Sequence, residues 1–236
     1  MSQASKAKDA FAKARTYYES GLKSGNKKYD DNSDKWSWWK QLSGKAASRR
    51  AEQPLAQQVI KANRSSAYLK SLDTIKKGKY LYTTGARAGN CGELAEVSCY
   101  LLNKAGVPPN ELAVAYVYTR NPAPGQKQAD HAFCLYGPNK DLNWIAQNPA
   151  LTSLTALNKN LMFSDIHALD PWANTCCTLD RYPGLIETKM NSWGSYGKRI
   201  LWVYDPTVNP PLWEWCEPNG EYKDVFAAGS LALGIC

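Results

Sequence analysis

The sequence lacks the long apolar run that a membrane-spanning helix requires. Its 236 residues contain no stretch of about 18 consecutive apolar side chains. The opening residues, MSQASKAKDAF, also lack the apolar segment of a cleavable signal peptide. We therefore expect a chain that is made in a cytosol and that, if it is exported, uses a route that reads no cleavable signal.

Histidine is scarce, and the cysteines do not form the pairs that are typical of a metal site. The chain has two histidines, His131 and His167, and its seven cysteines include no CxxC pair. Because a structural zinc site needs four such ligands at short spacings, the sequence predicts no metal and no other cofactor. If the chain uses a histidine as a base, the choice lies between these two.

Positive charge is concentrated in the front of the chain. Residues 1–90 carry 19 Lys and Arg against 7 Asp and Glu, whereas residues 91–236 carry 10 against 14. We expect the basic front to contact an acidic partner or an anionic membrane surface, with a solvated helical surface as the alternative. Hydrophobic residues make up 44% of the chain, which is enough for a folded core.

The apolar pattern divides the chain into two regions. Residues 1–79 form a basic, mostly helical region, because apolar side chains recur at helical spacing over 5–23 and 48–77, with a break near 63–66. Residues 80–236 form the expected catalytic core.

Within this second region a helical stripe after residue 91 is followed by apolar segments that predict strands. These segments are 112–119, 131–136, 166–169 and 200–204, and residues 144–146 are expected to extend a hairpin. A helix followed by sequential strands predicts an α+β fold.

Cys91 lies in the segment GNCGELAE, at the predicted start of a helix. A helix N-terminus carries partial positive charge and unpaired N–H groups, which favour a thiolate and can stabilise an oxyanion. Gly89 and Gly92 leave room for a substrate to approach closely. We therefore predict that Cys91 is a nucleophile. The alternative is a buried structural cysteine, which is what we expect of Cys99 in the middle of the same helix.

His131 opens the segment DHAFCLYG and is the predicted base for this nucleophile. His167 is the other candidate and lies three residues before Asp170. Strand alternation would place those two side chains on opposite faces. If Asp170 faces the site, His167 is structural.

Asp170 ends a predicted strand in the segment LDPWAN and is expected to orient the His131 imidazole. Trp172 could cover the resulting hydrogen bond and keep water away from it. Asp205 also ends an apolar segment before a proline, so it is a rival for the same role.

Together these segments resemble the transglutaminase-like branch of the papain-like cysteine enzymes, and more narrowly the bacterial toxin and effector deamidases of that branch. The resemblance covers about residues 85–175 and rests on GNCGELA, DHAFCLYG and LDPWAN. It implies a triad of Cys91, His131 and Asp170, carried by an antiparallel sheet that packs against the helix of the cysteine. It also implies attack on a glutamine carboxamide with release of ammonia, followed by hydrolysis to glutamate or by crosslinking to an amine.

The same resemblance implies a second oxyanion donor on a side chain upstream of the cysteine. Asn90 is the candidate, with the glutamines between residues 41 and 58 as alternatives. The implied partners are a protein that presents a glutamine and an immunity protein, and the implied location is a target cell into which a bacterium injects the chain. A papain-like cysteine protease, an amidase that cuts peptidoglycan peptides and a non-catalytic binding module remain alternatives.

Overall fold

A computed structural model describes residues 2–29, 45–84, 87–118, 130–140, 142–147, 154–157, 161–205, 212–216, 218 and 230–236. The helices are α1 (Gln3–Glu19), α2 (Lys45–Ser65), α3 (Ala67–Ser71), α4 (Thr74–Thr83), α5 (Cys91–Lys104), α6 (Asn143–Gln147), α7 (Leu154–Leu157) and α8 (Tyr182–Ser195). The strands are β1 (Lys27–Tyr29), β2 (Leu112–Tyr118), β3 (Asp130–Tyr136), β4 (His167–Asp170), β5 (Thr175–Thr178), β6 (Lys198–Asp205), β7 (Leu212–Cys216) and β8 (Ser230–Ile235). Within these ranges, no helix combines the length and the apolarity that crossing a bilayer requires.

Side-chain caps set the limits of the N-terminal helices. Ser2 accepts a hydrogen bond from the backbone N–H of Ser5 at the start of α1, and Asp73 does the same for Lys76 at the start of α4. Ser66 caps α3 and lies between α2 and α3, so the predicted interruption near residues 63–66 is confirmed.

The central sheet has five antiparallel strands in the order β5-β4-β3-β2-β8. The predicted strands at 112–119, 131–136 and 166–169 are confirmed, each within one residue at either end. The register pairs Val117 with His131 and Cys134 with Leu169. Helix α5 packs on this sheet through apolar side chains such as Leu94, which is fully buried. The predicted α+β class is therefore confirmed.

A second, three-stranded sheet has the order β1-β6-β7. Strand β6 covers the strand predicted at 200–204, whereas β1 lies in a polar stretch from which no strand was expected. Strand β1 is three residues long and pairs at the edge, with Lys27 opposite Ile200. Such a short edge strand leaves no alternation for a sequence pattern to detect.

The expected hairpin extension at residues 144–146 is wrong, because these residues belong to the one-turn helix α6. Leu142 and Ile145 are both buried, and the N–H of Ile145 donates to the carbonyl of Leu142 at 3.1 Å. Apolar residues spaced three apart fit a turn of helix, a pattern too short to distinguish from a strand.

The two regions that the sequence suggests share one hydrophobic core. Ala10 and Ala14 of α1 are buried in the same cluster as Leu94 of α5. The hydroxyl of Tyr17 donates to the carbonyl of Leu81 at 2.8 Å, and the junction at residues 79–80 falls inside α4. The basic front therefore packs directly against the elements that carry the candidate site.

Candidate active site

Cys91 is the first residue of α5, at the position where the sequence predicted a helix to begin. Asn90 is the N-cap residue, and its backbone N–H donates to Oε2 of Glu93 at 2.9 Å. The Glu93 carboxylate is also bound by Arg64 of α2, whose Nε and Nη2 lie 2.6 and 3.1 Å from its two oxygens. The Cys91 side chain is half-buried, so a substrate can reach it.

His131 and Asp170 meet between adjacent strands of the central sheet. Nε2 of His131 donates to Oδ2 of Asp170 at 2.8 Å, since an ionised carboxylate can only accept. The hydroxyl of Tyr182, at the start of α8, donates to the same oxygen at 2.7 Å and lies 3.2 Å from Nε2. Oδ1 of Asp170 accepts the backbone N–H of Ala173 at 2.9 Å. Each oxygen of this buried carboxylate therefore has a donor, which holds the carboxylate in one orientation.

The electrostatics of this pair favour a charged imidazole and a charged carboxylate. Burial works to lower the pKa of His131, but the Asp170 carboxylate and the Cys91 side chain outweigh it, so its pKa is raised to about 10. Burial works to raise the pKa of Asp170, but the interactions with His131, Ala173 and Tyr182 hold this pKa below its ordinary value. For both the imidazolium and the carboxylate, the interactions with neighbouring groups thus outweigh the cost of burying the charge.

The Cys91 side chain lies close enough to His131 to contribute to the raised pKa of the imidazole. Because Asp170 and Tyr182 occupy Nε2, the ring nitrogen that remains for the thiol is Nδ1. The structure therefore brings together three of the side chains that the sequence singled out, in the order thiol, imidazole and carboxylate.

A cavity of about 470 Å³ opens in front of Cys91. Tyr116 and Ala132 of the central sheet line this cavity, together with residues of helices α2, α3 and α4. Glu96 of α5 also lines the cavity, and burial, with a smaller contribution from Glu93, raises its pKa to about 7. Pockets of this size hold small ligands or single side chains of a larger substrate.

Residues 24–27, here called the bridging segment, connect the cap of α5 to the turn that follows Asp170. Oδ1 of Asn90 accepts hydrogen bonds from the hydroxyl of Ser24 at 3.0 Å and from the N–H of Gly25 at 3.1 Å. Gly25 has no room for a side chain, since a Cβ there would lie 2.8 Å from Cγ of Gln57. At the other end, Nζ of Lys27 donates to the carbonyl of Trp172 at 2.7 Å. The basic front thus contacts both the start of α5, which carries Cys91, and the turn that follows Asp170.

Trp172 packs directly on the imidazole, with ring centroids 5.1 Å apart. Its side chain is 1% exposed, and Nε1 donates to Oγ of Ser24 at 3.2 Å and to Oδ1 of Asn26 at 3.0 Å. The ammonium of Lys27 lies 4.3 Å from the centroid of the Trp172 ring, at a distance typical of a cation–π contact. Trp172 therefore contacts the imidazole that Asp170 binds.

The other candidates for the base, the nucleophile and the carboxylate lie away from this site. His167 stacks on Tyr136 with centroids 5.9 Å apart, and strand alternation in β4 turns it to the face opposite Asp170. Cys99 is fully buried, and its sulfur lies 3.4 Å from that of Cys134. The backbone of Asp205 ends β6 in the three-stranded sheet, which does not contain His131, and its side chain lies outside the described residues.

The oxyanion candidates from the sequence differ in their surroundings. Asn90 lines the cavity beside Cys91 and uses its Oδ1 to hold the bridging segment. Gln53 is not among the described lining residues and donates its amide to the carbonyl of Gly25 at 2.8 Å. Gln57 and Gln58 also lie away from the described lining, and residue 41 is outside the described ranges.

Sequence reasoning missed the residues that the site receives from distant parts of the chain. Tyr182 follows Asp170 by 12 residues, and Lys27 precedes Trp172 by 145. Neither lies in a segment with a recognisable pattern, so no local signal could have identified them. Glu96 was visible only as a polar position on the helix that Cys91 begins.

Among the described residues, no group of three or more His, Cys, Asp or Glu side chains is placed to hold a metal ion. Comparison with protein-family models, with curated proteins and with solved structures finds no match to this chain.

Proposed function

We propose that this chain is a cysteine-dependent acyl-transfer enzyme in which Cys91 is the nucleophile, His131 the base and Asp170 the residue that orients the imidazole. The observation that carries the proposal is the position of His131. One of its ring nitrogens is bound to Asp170, and its side chain also interacts with Cys91 at the start of α5, beside an open cavity. A helix packed on an antiparallel sheet also supports a papain-like or transglutaminase-like core.

The first half of the reaction forms a thioester. The Cys91 thiolate attacks the carbonyl carbon of the substrate, and the electron pair of the C=O bond moves to oxygen. Free N–H groups at the start of α5 can stabilise this oxyanion. When the tetrahedral intermediate collapses, the C–N bond breaks, and the His131 imidazolium donates its proton to the departing nitrogen, which leaves as ammonia if the substrate is a carboxamide.

The second half regenerates the thiol. His131 is now neutral and takes a proton from a water molecule or an amine as that molecule attacks the thioester. When this second tetrahedral intermediate collapses, the C–S bond breaks and Cys91 leaves as the thiolate beside the protonated His131. Water yields a carboxylate and therefore a net deamidation, whereas an amine yields a crosslink. Asp170 keeps one imidazole proton on Nε2 throughout. Nδ1 can therefore donate a proton in the first half of the reaction and accept one in the second.

The proposed substrate is a glutamine carboxamide presented by a protein, and the proposed class is a bacterial toxin or effector. Segments around all three residues support this choice through their resemblance to deamidases of that kind, and a cavity of about 470 Å³ can receive one glutamine side chain. The excess of 12 positive charges in residues 1–90 fits an acidic protein surface as the docking partner, and an immunity protein is a further expected partner.

Intact-mass analysis of candidate substrate proteins tests this function. Deamidation should raise the mass by the difference between an OH and an NH₂ group, crosslinking should join two masses, and proteolysis should split one. Cys91→Ala should abolish the change, whereas Cys176→Ala, which removes another half-buried cysteine, should not.

The alternatives make different predictions in the same experiment. Cleavage of a protein would identify a papain-like protease, and release of peptides from cell-wall material would identify a peptidoglycan amidase. A Cys91→Ala variant that behaves like the wild type on every substrate would contradict the enzyme hypothesis and favour a binding module.

A further inference from the structure

We propose that Cys99 and Cys134 form a disulfide bond under oxidising conditions, and that Cys236 is the thiol through which an oxidant reaches this pair. The inference goes beyond the proposed function, because it requires no activity from Cys91 or His131. It assigns a covalent modification to side chains that the proposed reaction does not use.

The two thiols of the pair lie against each other where α5 packs on β3. The S–H of Cys99 donates to Sγ of Cys134, and the two sulfurs are 3.4 Å apart. Both side chains are fully buried. Sulfurs that are already in contact need only a small approach to reach bonding distance.

Strand pairing places Cys236 on the same side of the central sheet. Val114 of β2 pairs with Cys134 of β3 on one side and with Gly234 of β8 on the other. Side chains two residues apart along a strand point to the same face, so Cys236 shares a face with Cys134. The N–H of Cys236 donates to the carbonyl of Leu112 at 3.1 Å, which continues the pairing of β2 and β8 to this residue.

Cys236 also lies near Cys99 but differs from it in exposure. The interaction with Cys99, together with burial, raises the pKa of the Cys236 thiol. Cys236 is half-buried, whereas Cys99 and Cys134 are buried. A dissolved oxidant therefore meets Cys236 before it can reach the other two thiols.

Three thiol–disulfide exchanges with a low-molecular-weight disulfide, such as oxidised glutathione, account for the bond. The thiolate of Cys236 attacks one sulfur of the oxidant, and the first glutathione thiolate leaves. Deprotonated Cys99 then attacks Sγ of Cys236 and displaces the second glutathione thiolate. Deprotonated Cys134 attacks Sγ of Cys99, and Cys236 leaves as a thiolate. In sum, the pair loses two protons and two electrons, and the oxidant gains them as it becomes two glutathione thiols.

The surroundings of the pair determine when this bond forms and what it does. Burial raises the pKa of Cys99 and of Cys134, so both react slowly and stay reduced where the glutathione pool is reduced. Under oxidising conditions the bond joins α5, which begins at Cys91, to β3, which contains His131. Cys134 follows Cys99 by 35 residues. Closing a loop of this length should lower the unfolding equilibrium constant about 100- to 1,000-fold.

Peptide mapping of the whole chain tests the assignment without any variant. The reduced protein is incubated with oxidised glutathione in the absence of denaturant, free thiols are blocked with N-ethylmaleimide in urea, and the protein is digested after lysine and glutamate. Cleavage after Glu96 separates Cys91 from Cys99. We expect the peptide of Cys99 joined to that of Cys134, with a mass two hydrogens below their sum. A Cys99 that stays free, or that ends bound to another cysteine, would overturn the assignment.

The variant Cys236→Ala tests the route by which the oxidant enters. It should form the bond about tenfold more slowly or less, because the oxidant must then wait for a local opening of the core. Cys176→Ala is the matched control, since Cys176 is also half-buried but lies on β5, and it should be oxidised at the wild-type rate. Equal rates for Cys236→Ala and the wild type would overturn the role of Cys236.

Urea unfolding of the reduced and oxidised wild type tests the link between α5 and β3. The oxidised protein should unfold at a higher urea concentration, as the lower unfolding equilibrium constant requires. An equal or lower midpoint would overturn the proposed link. None of these measurements depends on acyl transfer, so a failure of this inference and a failure of the proposed function are observed separately.

Discussion

The replacement Asp170→Asn tests the proposed site most directly, because the surrounding hydrogen bonds dictate how the new side chain must sit. The backbone N–H of Ala173 donates to Oδ1 of Asp170, so an asparagine must keep its carbonyl oxygen there. Its amino group then takes the place of Oδ2, which now accepts from His131 and Tyr182. An amino group cannot accept, so Nε2 of His131 must become the acceptor.

This reversal moves the proton of the imidazole to the wrong nitrogen. With Nε2 accepting, the neutral ring carries its hydrogen on Nδ1, on the side of Cys91, and cannot take a proton from the thiol. A comparable change in serine proteases lowers turnover about 10⁴-fold, and we expect a loss of about 10³- to 10⁴-fold here. In terms of the activation barrier this loss corresponds to about 4 to 5.5 kcal/mol.

The assay is release of ammonia from a blocked Gln-Gly dipeptide, measured together with thermal unfolding. Asp170→Asn should keep a cooperative unfolding transition, since its amide can still hydrogen-bond within the same site. The control is Asp205→Asn, the rival from the sequence, which should retain a rate near that of the wild type. A loss of less than about tenfold in Asp170→Asn would refute the tautomer argument, since that argument requires most of the base function to vanish. A large loss in Asp205→Asn instead would transfer the role to that residue.

Three further predictions concern the thiols, the imidazoles and the cavity carboxylate. Iodoacetamide at pH 6 should label Cys91 before Cys99, which is fully buried with its pKa raised by that burial; equal rates in peptide mapping would argue against a reactive Cys91. His131→Ala should lower turnover about as much as Cys91→Ala, because residues that act as one unit are not additive, whereas His167→Ala should be tolerated; the reverse result would show that the base is misassigned. The pKa of Glu96 is raised from 4.5 to about 7, so its protonated form is the one that the fold favours. The wild type should therefore lose stability relative to Glu96→Gln as the pH rises from 4.5 to 7, by about 2 kcal/mol once the partial exposure of Glu96 is taken into account. Urea unfolding at pH 5 and pH 8 measures this difference, and an equal gap between the two proteins at both pH values would contradict it.

The sequence by itself was sufficient for the local elements of the site. Glycines and a helical stripe located the start of α5 at Cys91, and strand periodicity located His131 and Asp170 on β3 and β4. Alternation within β4 was enough to separate His167 from Asp170. These features depend on residues that are close in the chain, so caps, periodicity and turn residues encode them directly.

Only the tertiary structure decided which distant residues share the site. The rival carboxylates, Asp170 and Asp205, have the same local pattern, and only strand pairing puts Asp170 on the strand next to that of His131. Tyr182 reaches the carboxylate because α8 packs over the sheet, and Asn26 reaches the cavity because an edge strand of three residues pairs with β6. Such contacts arise from the packing of whole elements, so no pattern within a short window of sequence contains them. The helices that line the cavity follow the same rule, since residues of α2, α3 and α4 lie beside Cys91 and α1 of the same basic region shares the core of α5.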